Sequence, residues 1–231
     1  MTKITWHGHA NFNIECEGLN ILIDPFFTGN PKADCNWEDI KKVDLVLLTH
    51  MHGDHTGDCV ALCKKHGAML GAVVGIPEQL ISFGLPAELV LNTIGFNIGG
   101  TVQFKGISIT MTEATHTSEA GLPTGFILQM QDQTTVYHAG DTGIFSNMQT
   151  WGELYNINVA LLPAGGLFTM DTRQAALAAK FLQADKVIPM HWGTFPALKQ
   201  DMNDFAQMLA LQSPKSEAVI LQPGETFNYC I

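Results

Sequence analysis

In the stretch VDLVLLTHMHGDHTGD, residues 43–58, an almost unbroken aliphatic run from Val43 to Leu48 passes directly into four metal-ligand side chains, His50, His52, Asp54 and His55. The run has the composition of a strand covered on both faces, because a strand with one face in water alternates apolar and polar residues. The H-x-H-x-D-H pattern that follows belongs in a loop, which can turn three imidazoles and a carboxylate toward one point far more easily than a regular helix. Imidazole nitrogen and carboxylate oxygen suit zinc, manganese and iron. Four such residues in six positions, placed straight after a buried strand, point to a metal centre rather than to a polar surface loop.

The segments around this stretch show two periodicities. Before it, Ile4 and Trp6, then Phe12, Ile14 and Cys16, then Ile21 and Ile23 alternate with polar residues and predict half-buried strands, with a turn at Glu17-Gly18. After it, the pattern predicts a short helix over 58–66, a strand over 69–74 and a helix opening at Pro77, a residue suited to the first helical position. TVQFKGISITMTEA (101–114) reads as a hairpin turning near Lys105-Gly106, and GFILQMQDQTTVYHAGD (125–141) as a second turning near Asp132-Gln133. Helices near 147–155, over 172–182 and over 198–211 then alternate with the strands NVALLPA (158–164), KVIPMH (186–191) and AVILQ (218–222). Two halves that open with strands and finish in strand–helix units predict an α/β fold of two sheets packed face to face with helices outside. No linker or repeat divides the 231 residues, so one domain over 1–231 is expected.

Composition narrows the functional classes. The chain is 46% hydrophobic and carries a formal net charge of −10 with no local basic patch, which disfavours nucleic acid and anionic membrane surfaces as partners. No segment approaches the ~20 apolar residues of a membrane span, and the N-terminal residues lack the apolar run of a signal peptide. Five cysteines without a CxxC pair suit a reducing compartment, so the expectation is a cytoplasmic protein acting on a small molecule. Cys59 and Cys63, four apart on one helix face, read as small buried hydrophobes.

A metal site needs more ligands than one loop supplies, and three stand at strand-to-loop transitions farther along. These are His116 in TEATHTS, Asp141 in YHAGDTG and His191 at the end of KVIPMH. Side chains placed there can reach a site at one edge of a sheet.

With these residues, the chain resembles the metallo-β-lactamase superfamily along nearly its whole length. The motifs are HGHA (7–10), IDPF (23–26), THMHGDHTGD (49–58), ATHTS (114–118), YHAGDTG (137–143), LPAGG (162–166) and IPMHWGTFP (188–196). More narrowly it resembles a compact branch of metal-dependent hydrolases related to the L-ascorbate-6-phosphate lactonases. The resemblance implies a four-layer αββα sandwich of two mixed sheets. It also implies two divalent cations, zinc first and manganese or iron as alternatives: His50, His52 and His116 would hold one, Asp54, His55 and His191 the other, and Asp141 would bridge them. Asp24 would lie beneath the ligand loop and orient a histidine or the loop itself. Self-association is a further implication. At Leu167 the chain departs from many relatives of the branch, which carry a histidine there.

Two divalent cations about 3.5–4 Å apart that share one water lower its pKa from ~15.7 toward ~7, so hydroxide is the expected nucleophile. The expected reaction is hydrolysis of an ester, lactone, amide or phosphoester bond in a small molecule, with Asp54 both ligating and orienting the water. His9 and His138 are candidates for protonating a leaving group or holding an anion if strand alternation turns them into the cleft, and His7 is weighed with them. Structural hydrogen bonding is the competing role for all three. Gly165-Gly166 would permit a close backbone approach, and Phe168, Trp192 and Phe195 would either wall a pocket or pack in the core. An iron-dependent oxidoreductase or dioxygenase and a non-catalytic metal-binding protein remain open alternatives.

Overall fold

The computed structural model describes residues 1–230. Alternation builds the first three strands, β1 (Thr2–Trp6), β2 (Phe12–Cys16) and β3 (Leu19–Ile23): Ile4, Trp6, Phe12, Ile14, Ile21 and Ile23 are buried, while most of the residues between them are partly exposed. β4 (Leu45–Leu47) is buried at every position, as its unbroken aliphatic sequence requires, and pairs in parallel with β3 and with β5 (Met69–Gly71). The second sheet contains β6 (Thr101–Phe104), β7 (Ile107–Glu113), β8 (Thr124–Gln129), β9 (Thr135–His138), β10 (Val159–Pro163), β11 (Lys186–Met190) and β12 (Glu217–Ala218). Its order is β12-β11-β10-β9-β8-β7-β6, antiparallel from β6 to β9 and parallel from β9 to β12. β13 (Thr226–Tyr229) returns to the first sheet and pairs antiparallel with β1, Ile4 opposite Phe227, giving the order β13-β1-β2-β3-β4-β5.

The two mixed sheets and their helices form the αββα sandwich, with the buried side chains of both sheets merged into one core. Trp6, Phe12, Tyr137, Phe126 and Phe205 are its largest fully buried members, each contributing roughly 1.5–3 kcal/mol by leaving water. α1 (Gly53–Thr56) is a single turn inside the ligand loop; α2 (Cys59–His66) buries Cys59, Leu62 and Cys63 and ends at Gly67 in the left-handed conformation. α3 (Ile76–Ser82) has its proline in the first turn, and α4 (Asn147–Leu154) lies where the sequence predicts. α5 (Thr172–Leu182) opens with a reciprocal cap: Gln174 N–H donates to Asp171 at 2.8 Å, and Asp171 N–H donates to Gln174 Oε1 at 3.2 Å. Such a cap is worth about 1 kcal/mol. Among the described residues no helix is long and apolar enough to cross a membrane, and all five cysteines are unpaired.

Three local expectations need correcting. The helix predicted over 198–211 is α6 (Phe205–Gln212), because the backbone from Leu198 to Asp204 is diverted into turns. There Lys199 N–H donates to Gly165 O, Gly193 N–H donates to Lys199 O, and the Asp201 side chain accepts from Asn203 N–H. The strand expected over 218–222 is only the short β12, since the chain leaves the second sheet and crosses at Gly224, whose N–H reaches Trp6 O, to begin β13. The strand expected over 69–74 stops at Gly71, and Val73 makes only an isolated bridge to Phe96.

Candidate metal centre

Five strand ends converge at one edge of the sandwich. His50, His52, Asp54 and His55 follow β4, His116 follows β7, Asp141 follows β9, His191 follows β11 and His9 follows β1. The structure brings all seven expected ligand residues together and adds His9. One cluster of ligand atoms comes from His50, His52 and His116, and a second from His9, Asp54, His55 and His191, the atoms within each lying no more than 4.8 Å apart. Asp141 stands where they meet: its Oδ2 is 2.9 Å from His191 Nε2, 3.4 Å from His55 Nε2 and 3.6 Å from His116 Nε2. His50 Nε2 and His52 Nδ1 are 2.9 Å apart.

Hydrogen bonds beneath the loop choose which ring nitrogens face the cleft. Asp24, completely buried and with φ of 48°, accepts from Thr49 N–H at 2.8 Å, Thr49 Oγ1 at 2.6 Å and His55 Nδ1 at 2.7 Å. His55 therefore directs an Nδ1 proton to Asp24 and turns Nε2 toward the cleft. Because Thr49 donates its hydroxyl proton to Asp24, the same oxygen accepts from His50 Nδ1 at 3.0 Å, and His50 turns its Nε2 inward, toward His52. Thr117 Oγ1 lies 3.3 Å from His52 Nε2, which leaves His52 Nδ1 facing His50. Asp24 thus supports a histidine and the loop backbone together.

Electrostatics favour a cation between these groups. Burial would raise the Asp141 carboxyl, but the neighbouring His191 and His55 hold it well below the ordinary range. Burial likewise opposes ionisation of Asp24 and Asp54, yet His55 beside the first and the His9 hydrogen bond to the second keep both carboxyls low. His55 has the reverse balance: burial favours its neutral form, and the flanking Asp141 and Asp24 raise its pKa well above normal. Burial lowers His50 to about 2, with the charge of His55 adding to the effect, and lowers His9 to about 4, with His191 adding. His9 Nε2 is 3.2 Å from Asp54 Oδ2, within hydrogen-bond reach of the carboxylate. His55 Nε2 and Asp141 Oδ1 are also buried without a hydrogen-bond partner. Carboxylates and ring nitrogens packed together in a desolvated site, some of them without a hydrogen-bond partner, need positive charge among them, supplied by a proton on His55 or by a bound cation. The residues present therefore fit divalent metal.

His138 sits elsewhere than expected. It is fully buried, its Nε2 donates to Ala10 O at 3.0 Å, and its Nδ1 accepts from Gly140 N–H at 3.1 Å. Both ring nitrogens are spent on backbone, so it positions the turn that carries Asp141 and has no proton to offer the cleft. His7 turns away from the cluster, its Nδ1 2.7 Å from Asp34 Oδ1. Of the aromatics, Trp192 packs on Trp6 with ring centroids 5.2 Å apart, Phe195 packs edge-on to His9 at 5.5 Å, and Phe168 lines the cleft. The cleft, about 360 Å³, is walled by His52, Asp54, His116, Thr117, Asp141, Phe168 and His191. The supporting Thr49 and Thr117 were not singled out from sequence, although each adjoins a ligand-type histidine; nothing local marks Thr194, whose Oγ1 is 3.0 Å from His9 Nδ1.

With the geometry established, comparison with known proteins gives consistent results. A beta-lactamase superfamily domain matches residues 19–192. A protein of Nitratidesulfovibrio vulgaris named as a metal-dependent hydrolase is 58% identical over 227 residues, 98% of this chain and 95% of its own. One of Lawsonia intracellularis with the same description is 52% identical over 223 residues, 96% of this chain and 97% of its own. The structure of a metallo hydrolase from the archaeon Ignicoccus hospitalis superposes with a TM-score of 0.89 at 41% identity, covering 99% of each chain.

Proposed function

The chain belongs to the beta-lactamase superfamily, and from that premise we propose that it is a metal-dependent hydrolase whose centre holds two divalent cations. His50, His52 and His116 hold one, Asp54, His55 and His191 the other, and Asp141 lies between them. The observation that carries this reading is the meeting of the two ligand clusters at Asp141, with His55 Nε2 and Asp141 Oδ1 buried and unpartnered. Zinc suits the nitrogen-rich donor set, and manganese and iron are compatible with it.

Bound cations supply a water acidified toward neutral pH and Lewis-acid stabilisation of the negative charge that develops on the substrate. The chain supplies the rest. Asp24 fixes the His55 tautomer, and Thr49 fixes that of His50, so neither ring rotates away from its task. Asp54, about one-third exposed, is the carboxylate that can orient water in the cleft. His9, fully buried with Nδ1 3.0 Å from Thr194 Oγ1 and Nε2 3.2 Å from Asp54 Oδ2, holds that carboxylate in place beside the cleft. The bond cleaved is an ester, lactone, amide or phosphoester of a small molecule. The unpaired cysteines support a cytoplasmic setting, and the net charge of −10 disfavours a nucleic-acid substrate.

The test is elemental analysis of protein purified without added metal, paired with hydrolysis of a generic lactone and a generic phosphodiester before and after chelation. Two equivalents of metal per chain with chelator-sensitive turnover is the expected result. One equivalent of iron and no hydrolysis overturns it in favour of oxygen chemistry on the same scaffold.

A further inference from the structure

The loop after β10 carries a strained apolar tip at the mouth of the cleft. Phe168 N–H donates to Gly166 O at 2.7 Å, closing a γ-turn around Leu167, whose φ is 60°. Leucine rarely adopts that left-handed region, and a γ-turn built on it is the strained form. The frame around the turn is well bonded: Gly166 N–H donates to Met170 O and Met170 N–H to Thr142 O, each at 3.0 Å. Strain that is maintained by its surroundings gathers at working sites. Here it projects two large apolar side chains outward, Leu167 at 71% and Phe168 at 60% exposure, with Phe168 also forming part of the cleft wall.

The same wall contains no lysine or arginine. Arg173, the chain's only arginine, belongs to α5 and is not part of the wall. Lys199, whose backbone N–H is bonded to Gly165 O, turns its ammonium to Asp204 at 3.0 Å. Beyond the metal ligands, a phosphorylated substrate would meet Thr117 and a phenyl ring here, and no lysine or arginine to bind its charge.

We infer that the Leu167–Phe168 tip is the specificity element of this cleft, receiving an apolar acyl or aryl group attached to the scissile bond of an uncharged ester, lactone or amide. The occupant is a small molecule because Phe168 is continuous with the cleft that holds the metal-ligand side chains. The inference rests on the hydrolase reading above, and its test separates the two.

Wild-type protein with its bound metal is compared with Leu167→Gly and Phe168→Ala on para-nitrophenyl octanoate, acetate and phosphate, and by calorimetric titration with octanohydroxamate and acetohydroxamate. In the wild type, kcat/KM is expected to be highest for the octanoate and lowest for the phosphate. The octanoate-to-acetate ratio is expected to fall about tenfold in Phe168→Ala and about threefold in Leu167→Gly, the scale on which an apolar contact discriminates. Glycine adopts positive φ without penalty, so Leu167→Gly keeps the turn and reports the side chain rather than folding. A ratio unmoved in both variants, or a preference for the phosphate, overturns the inference. It is also overturned if sedimentation shows copies of the chain associating through the tip, with the variants dissociating them and leaving the ratio unmoved. If the wild type turns over none of these substrates and neither the lactone nor the phosphodiester, the hydrolase reading fails on its own, and the hydroxamates then read the tip. Octanohydroxamate binding about tenfold tighter than acetohydroxamate, with the difference lost in the variants, sustains the inference; equal affinities overturn it.

Discussion

Asp24 Oδ2 accepts the Nδ1 proton of His55 at 2.7 Å, with both side chains completely buried and Asp24 at a positive φ. One carboxylate thereby receives three donors, two of them from Thr49, and ties β3 to the ligand loop.

Asp24→Ala leaves His55 Nδ1, the Thr49 amide and the Thr49 hydroxyl without their acceptor in a dry site. Removing one partner of a buried charged network costs roughly 3–5 kcal/mol. Urea unfolding is expected to show a loss of that size. Metal affinity, read by competition with a chromophoric chelator, is expected to fall about 10–100-fold, as when a group that orients a ligand histidine is lost. A variant as stable as the wild type would show that the network is not doing this.

Gly165 is a close-approach position. A Cβ there would run into the carbonyl oxygen and carbon of His191, which itself sits at φ 57°. Gly165→Ala must push the β10 loop and the end of β11 apart, moving His191 Nε2 away from Asp141. Turnover is expected to fall about 100-fold, the scale of a 1 Å misplacement in a catalytic array, with metal content reduced in parallel. Wild-type activity in this variant would show that the strand ends can separate at no cost.

Metal removal should be visible in stability as well as in activity. A cation that binds the folded chain alone adds about 2.7 kcal/mol when present at one hundred times its Kd, or roughly 5–10 °C in Tm for a chain of this size. Calorimetric scans with zinc or manganese and after dialysis against chelator should differ by that amount, and His116→Ala should reduce the difference. Identical scans would argue against a site coupled to folding.

Asp44 provides a pH test away from the centre. It accepts from Asn20 N–H at 3.0 Å and lies 2.7 Å from Lys105 and 3.2 Å from Lys42, joining the start of β4 to the β6–β7 turn of the other sheet. Burial would raise its carboxyl, but the Lys105 bond, the Asn20 amide and Lys42 outweigh burial and lower it. A folded-state pKa below the unfolded one, about 3.9, contributes stability that is present above that value and lost as pH falls through the folded one. Both lysines are more than half exposed, so screening keeps the contribution near 1 kcal/mol or less. The stability difference between wild type and Asp44→Asn should be present at neutral pH and vanish in strong acid; a difference that persists there would mean that packing, not charge, is responsible.

Much of the architecture could be read from neighbours along the chain. Ile4, Trp6, Phe12 and Ile14 announce their strands by alternation, Lys105-Gly106 marks a hairpin because both residues adopt positive φ, and His50 to His55 crowd four ligand-type residues into one loop. Such signals are local: each depends on the spacing of a few residues and on the conformations those residues tolerate.

Other features depend on partners far away in sequence, and no local pattern carries them. Thr226–Tyr229 is a strand because β1, more than 200 residues earlier, offers an open edge, and α6 starts late because Lys199 is bonded to Gly165. His9 and His138 look alike in sequence, each a histidine near the end of a predicted strand. Packing gave His9 a carboxylate and a threonine at the cleft, and gave His138 two backbone partners in the core. Residue type and spacing therefore settle which chemistry is available. Where two sheets meet, and which polar atoms are left unpaired when they do, depends on the fold as a whole, because a buried ring nitrogen takes its role from whichever partner lies within hydrogen-bond reach.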